Sequence, residues 1–115
     1  MKEEKQAGAS VSGRPLIAVE LDPPTDDDAE FFMSGVQEIR DAGADLITIA
    51  DCPVGRPRAD SCVLAAIIKR QYGIEALPHM TCRDRNLNAM RAALLALSIE
   101  GVHHILLVTG DPIPP

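Results

Sequence analysis

Leu77-Pro78-His79-Met80-Thr81-Cys82-Arg83-Asp84 is the stretch that decides the fold, because an apolar run gives way there to polar side chains just before a helical segment. Residues 74–77 are predicted to form a short strand that ends where these polar residues begin. Parallel α/β folds place their chemistry at strand ends of this kind. A single polar strand end carries little meaning, but several at one edge of a sheet would form a site.

Three other apolar runs end in the same way. The first of them, residues 16–19, is continuous and partly β-branched, which is the pattern of a strand buried on both faces. Pro23 and Pro24 prevent it from continuing. The polar residues that follow these runs are Glu20 after residues 16–19, Asp51 after residues 45–50, and Thr109 with Asp111 after residues 105–108.

Apolar residues at helical spacing predict three helices between the strands. The first is expected to begin at Thr25, whose hydroxyl can cap free N–H groups and is followed by three aspartates that suit the positive end of the helix dipole. The second covers residues 60–72, and the third is capped by Asp84 or Asn86. Their predicted apolar faces are Phe32, Val36 and Ile39; Val63, Leu64, Ile67 and Ile68; and Leu87, Met90, Leu94 and Leu97.

Strands and helices therefore alternate along the chain, and a glycine separates each helix from the next strand. This order predicts an α/β fold of parallel βα repeats with right-handed crossovers. A complete (β/α)8 TIM barrel takes about 250 residues, so 115 residues predict its first four strands, a half-barrel. Residues 1–13 lack periodicity and are predicted to form a flexible leader, which leaves residues 14–115 as the domain.

The composition argues against two classes of partner. The net charge of -6 and the scattered basic residues do not suit nucleic acid, and three aromatic residues offer little surface for base stacking. No apolar run approaches the roughly 20 residues that cross a bilayer, so we predict no membrane partner and a cytoplasmic location. Cys52, Cys62 and Cys82 are odd in number and widely spaced, which predicts reduced thiols.

Two of the strand-end residues are candidates for proton transfer. Glu20 follows an apolar run, where partial desolvation would favour a general acid, although a water-exposed carboxylate fits the same pattern. His79 is a candidate base, metal ligand or cofactor contact, and equally a histidine bonded to nearby backbone. Patterns such as H-E-x-x-H are absent, so no metal site is predicted. Gly110 would permit close approach of a ligand to the backbone, as would a plain turn glycine.

Taken together, the four strand ends resemble those of the methylenetetrahydrofolate reductase family. The resemblance is carried by Glu20-Leu21-Asp22-Pro23-Pro24, Ile47-Thr48-Ile49-Ala50-Asp51, the stretch from Leu77 to Asp84, and Val108-Thr109-Gly110-Asp111-Pro112. It extends over about residues 15–115. The most similar variety is the bacterial form found fused to a homocysteine S-methyltransferase domain.

The resemblance implies a flavin-containing barrel in one-carbon and methionine metabolism. FAD would take hydride from NAD(P)H and pass it to 5,10-methylenetetrahydrofolate, giving 5-methyltetrahydrofolate. Glu20 would be the general acid that helps to open the folate imidazolidine ring, and Asp111 the carboxylate beside flavin and folate. Thr48, His79 and the Thr109-Gly110 backbone fall where the family contacts the flavin.

Two alternatives remain open from the sequence. The first is a non-catalytic half-barrel whose open sheet edges pair with a second copy or with a complementing chain, because bare strand edges promote association. The second and weaker alternative is a metal-dependent hydrolase that uses His79 and the strand-end aspartates. Both share the predicted fold and differ from the reductase in what the strand ends do.

Overall fold

A computed structural model describes residues 13–115 and contains one parallel sheet of four strands in the order β1-β2-β3-β4. Each strand pairs with the next one along the chain, as in the first four strands of a (β/α)8 barrel. The predicted α/β half-barrel is therefore confirmed. The elements are β1 Ala18–Leu21, α1 Glu30–Asp41, β2 Leu46–Ile49, α2 Ser61–Ile67, β3 Glu75–Thr81, α3 Leu87–Ile99 and β4 Leu106–Val108.

One face of the sheet packs in the hydrophobic core, and the other carries the polar residues of the predicted site. Ile47 and Ile49 of β2 are fully buried, and Val36 of α1 and Ile68, just after α2, share their core. Since side chains alternate along a strand, the residues between the buried ones face the other way. On that opposite face Glu20 is level with Thr48, and Thr48 with Leu77. His79 and Thr81 continue this row along β3.

Two strands continue past their predicted ends, whereas β2 and β4 are shorter than predicted by one or two residues. β1 begins at Ala18 and includes Glu20, and Ile17 before it is 51% exposed. The prediction that this strand is buried on both faces is wrong, because Ala18 and Glu20 are exposed and no residue of β1 is fully buried. β3 continues to Thr81 instead of ending at residue 77. Its last residues pair with β4, so His79 and Thr81 belong to the strand itself.

The first helix begins later than predicted. Thr25 is not its cap, since α1 starts at Glu30 and no side chain caps it. Instead the carboxylate of Asp26 accepts a hydrogen bond from the Asp28 N–H, and that of Asp28 accepts one from the Glu30 N–H, at 3.0 and 3.1 Å. Aspartate carboxylates that bond to backbone two residues ahead favour turns over helix.

The caps of the other two helices are clearer. Asp60 caps α2 by accepting hydrogen bonds from two backbone N–H groups, and Asn86, not Asp84, caps α3. The predicted helix over residues 60–72 is α-helical to Ile67 and then continues as a π-helical turn, Ile68–Tyr72. The apolar-face prediction is wrong for Val63 of the second helix, which is 59% exposed, and for Leu87 and Leu94 of the third, which are 63% and 37% exposed.

Three further predictions concern the leader, the membrane and the cysteines. The predicted leader lies, apart from Gly13, outside the described residues. Within residues 13–115, no helix combines the length and apolarity needed to cross a membrane. All three cysteines are free thiols, as predicted, and burial raises the pKa of the Cys62 thiol, so that thiol is held in its neutral form.

Candidate functional site

A pocket of about 300 Å³ lies at the carboxyl ends of the strands. Of the six predicted site residues, five line it and Thr48 does not; Thr48 lies beside Glu20 in the sheet, one step below the rim. All four strand ends contribute residues to the pocket. The four polar strand ends, identified separately in the sequence, therefore lie together in the fold. The lining residues are Glu20, Ala50, Asp51, Pro53, His79, Thr81, Val108, Thr109, Gly110 and Asp111.

Glu20 and His79 face each other across the pocket. The Glu20 Oε1 atom lies 4.0 Å from His79 Nε2, although their strands are separated by β2. The hydroxyl of buried Ser61 donates a hydrogen bond of 2.7 Å to the His79 carbonyl, which fixes the backbone that carries the imidazole. The Glu20 side chain is 57% exposed. The partial desolvation predicted for it is therefore not supplied by the described residues, and a ligand over the pocket would supply it.

Asp51 is the most strongly bound carboxylate of the pocket, with a side chain only 8% exposed. Its Oδ2 atom accepts hydrogen bonds from the Thr81 N–H at 2.8 Å and from Arg85 Nη1 at 2.6 Å. Burial alone would raise the pKa of Asp51, but the hydrogen bonds from Thr81 and Arg85 and the charge of Arg85 outweigh it and hold that pKa below its ordinary value. Asp51 is thus an ionised anchor between the ends of β2 and β3.

The Asp51–Arg85 pair was missed by sequence reasoning. The two residues are 34 positions apart, and Arg85 follows the quoted stretch as one of several basic residues. Arg85 also approaches Asp60, the cap of α2, at 3.5 Å. The sequence feature that could have indicated the pair is Asp51 itself, directly after a buried strand. A buried aspartate at such a position needs a charged or hydrogen-bonding partner.

Asp111 is held at two of its atoms. Its Oδ2 atom accepts a 2.7 Å hydrogen bond from the Val54 N–H, and its carbonyl accepts one of 2.6 Å from Arg83 Nη1. Gly110 before it has a φ of +92°, and a Cβ there would lie 3.2 Å from atoms of Thr81 and Arg83. Glycine thus lets the end of β4 approach the end of β3 with bare backbone at the pocket wall.

Other candidates take no part in this arrangement. The Cys82 side chain is exposed. Its backbone N–H donates a 3.0 Å hydrogen bond to the Val108 carbonyl, so Cys82 joins the ends of β3 and β4 through its backbone and not through its thiol. Among residues 13–115, no three His, Cys, Asp or Glu side chains converge as metal ligands would. The hydrolase alternative therefore lacks a ligand set in the described part of the chain.

Comparisons with known proteins agree on one family. A family model described as methylenetetrahydrofolate reductase matches residues 5–115. The chain is also 26% identical over 107 residues to a 5,10-methylenetetrahydrofolate reductase from Pectobacterium carotovorum subsp. carotovorum. That alignment covers 92% of this chain and 36% of the relative. The chain thus spans about a third of the length of the curated relative that it matches.

Proposed function

The chain belongs to the methylenetetrahydrofolate reductase family, and from this premise we propose that its strand-end pocket serves flavin-mediated hydride transfer from NAD(P)H to 5,10-methylenetetrahydrofolate. The product would be 5-methyltetrahydrofolate, a methyl donor for methionine synthesis. The observation that carries the proposal is that Glu20, His79 and Asp111, which come from three different strand ends, line one pocket.

The pocket suits the ring system of a flavin. Its volume of about 300 Å³ is at the lower end of the range for small-molecule sites, which fits a ring system better than a whole dinucleotide. Gly110 presents backbone without a side chain, and His79 offers an imidazole to a ring edge. FAD bound there would supply the hydride chemistry, which side chains cannot perform. We propose that Thr48 and Thr109 take part in holding it.

Glu20 is the proposed general acid. A protonated carboxyl at this position would deliver its proton from Oε to a folate nitrogen as the imidazolidine ring opens. Because Glu20 is exposed without a ligand, it can exchange protons with water between turnovers. A folate that covers the pocket would remove this water and favour the protonated form of the carboxyl, which a general acid needs. His79 Nε2 lies 4.0 Å from Oε1, which is longer than a hydrogen bond, and His79 lines the same pocket.

Asp111 is the proposed electrostatic partner of the folate. Ring opening leaves positive charge on the substrate, and a fixed carboxylate nearby stabilises that charge most when water is excluded. The hydrogen bonds from Val54 and Arg83 fix Asp111 before any ligand arrives. Preorganised charge of this kind does not have to be reoriented during the reaction.

Anaerobic spectroscopy of the purified chain with FAD tests the proposal. NADH or NADPH should lower the visible flavin absorbance, and 5,10-methylenetetrahydrofolate added afterwards should restore it. Recovery on addition of the folate, without oxygen, is the expected result. A flavin spectrum unaffected by either nicotinamide would contradict the proposed activity of this chain.

A second property is favoured by the exposed apolar side chains of β4, the last strand of the sheet, and of α3 before it. Leu106 and Leu107 of β4 are 46% and 57% exposed, and Leu95 and Ile99 of α3 are 68% and 86% exposed. An open parallel edge and exposed apolar side chains both promote pairing with another chain. We propose that a second copy covers the exposed side chains of β4 and α3, whether or not the pocket is catalytic.

Replacing Leu95 with lysine should weaken this association, because a charged side chain opposes burial in an apolar contact. We expect light scattering after size exclusion to show wild-type dimers or larger species and a Leu95→Lys shift towards monomer. Val63→Lys is the matched control, since Val63 is also an apolar residue, 59% exposed, and lies on α2, which packs against β2 and β3. A wild-type chain that is monomeric at all concentrations would contradict the proposal.

A further inference from the structure

The loop after β2 has a backbone that its residues do not favour. Cys52 has a φ of +43° and Val54 a φ of +54°, both in the left-handed region. A β-branched residue such as Val54 is rare in that region because its side chain crowds the backbone. Gly55, with a φ of +70°, follows directly. Conformations of this kind persist only where contacts outside the loop stabilise them.

The stabilising contact outside the loop is made by the carboxylate of Asp111. The N–H of Val54 donates a 2.7 Å hydrogen bond to Asp111 Oδ2, across 57 positions of sequence. The turn's own hydrogen bonds run from the Gly55 N–H to the Cys52 carbonyl and from the Arg56 N–H to the Pro53 carbonyl. The Val54 N–H is thus left for Asp111.

The same loop packs closely against the chain just after Asp111. A Cβ built at Gly55 would overlap the carbonyl oxygen of Pro112 and touch Ile113. Arg83 Nη1 also donates a 2.6 Å hydrogen bond to the Asp111 carbonyl. Asp111 is therefore fixed through its backbone, its carboxylate and the residue that follows it.

We propose that residues 52–55 form a positioning loop for Asp111, in which the strained Val54 holds Oδ2 and leaves Oδ1 to a ligand in the pocket. Among the described residues, Asp111 Oδ1 has no hydrogen-bond partner, and Asp111 lines the pocket. Val54 touches no reacting group in this arrangement, so it is a positioning residue. The effect of the loop on catalysis rests on the proposed function. The hydrogen bond between the Val54 N–H and Asp111 Oδ2, called the clamp below, does not.

Amide hydrogen exchange of the wild-type chain and of Asp111→Ala tests the clamp without any ligand. Val54 is 64% exposed, so an unbonded amide there would exchange at the rate of an open loop. We expect wild-type Val54 to exchange at least about tenfold more slowly, and Asp111→Ala to remove that protection. An unprotected Val54 amide in the wild type, or equal protection in Asp111→Ala, would overturn the proposal.

Gly55→Ala provides a second test, because its methyl group should push the loop away from Pro112 and expose the Val54 amide. Gly73→Ala is its control, since Gly73 has a nearly equal φ of +67° and nothing within 4 Å of an added Cβ. Of these two glycine variants, only Gly55→Ala should lose Val54 protection. If FAD binds, Gly55→Ala should also slow folate reduction while the nicotinamide step remains. Failure of flavin binding in every chain would count against the proposed function, and the exchange result would still decide the clamp.

Discussion

Replacing Asp51 with alanine is expected to lower the free energy of unfolding by about 3 kcal/mol, a large share of what holds a small domain together. The change removes the carboxylate that binds Arg85 and the Thr81 N–H. The Arg85 side chain is only 16% exposed, so it would be left with a poorly hydrated charge and one weaker contact, to Asp60 at 3.5 Å. Chemical denaturation at neutral pH measures the loss.

The effect should depend on pH with a definite sign. The pKa of Asp51 is lower in the folded chain than its ordinary value, so the folded state favours the ionised carboxylate. Its contribution is complete above the unfolded-chain pKa of about 3.9 and is lost as the pH falls through the folded-state pKa. The difference between wild type and Asp51→Ala should therefore shrink in acid.

Asp84→Asn is the matched control for this prediction. Asp84 also pairs with an arginine, Arg83 at 2.8 Å, but its side chain is 54% exposed. Exposed pairs contribute about 1 kcal/mol or less, because water competes for both charges. If Asp51→Ala unfolded no more easily than Asp84→Asn, the ends of β2 and β3 would have to be held together by something other than this pair.

Glu20→Gln is expected to slow reduction of the folate by about 10²- to 10⁴-fold and to leave oxidation of NAD(P)H by the flavin unchanged. Glutamine has nearly the same shape as glutamate but has no acidic proton to give to the opening ring. Glu20 is 57% exposed, so the substitution should cost little stability. A lower rate of folate reduction would then reflect loss of the proton donor and not unfolding of the chain.

Rapid-mixing measurements of the two half-reactions check this split. Glu75→Gln is the control, because Glu75 is also an exposed glutamate of the sheet, at the opposite end of β3, where it pairs with Lys69. Both half-reactions should be unchanged in Glu75→Gln. A Glu20→Gln chain with the full rate of folate reduction would show that the proton comes from another group.

The order of helices and strands could be predicted because it depends on residues that are close together in sequence. Gly43 and Gly73 separate a helix from the next strand and have positive φ angles of 93° and 67° there. Such residues mark boundaries whatever lies elsewhere in the chain. The polar ends Glu20 and Asp111 could be assigned to one edge for the same reason, since parallel crossovers leave no other arrangement.

What could not be predicted depends on partners distant in sequence. β3 extends to Thr81 because β4 pairs with it there, and the apolar run alone ends at residue 77. Val54 has a left-handed backbone, and its N–H bonds to Asp111, 57 positions away; nothing in the composition of its loop indicates this. The third helix has the clearest periodicity, yet Leu87 is 63% exposed, since periodicity indicates a helix without indicating what covers it.

Equilibrium titration of the purified chain with FAD, followed by flavin fluorescence, tests most directly whether the strand-end pocket is a flavin site. We predict saturable binding that Gly110→Ala weakens at least about tenfold, because the added methyl group would crowd Thr81 and Arg83 at the pocket wall. Gly43→Ala should bind as the wild type does, because Gly43 has a nearly equal φ and nothing within 4 Å of an added Cβ. Absence of saturable binding, or equal binding by Gly110→Ala, would contradict the assignment of the pocket to a flavin.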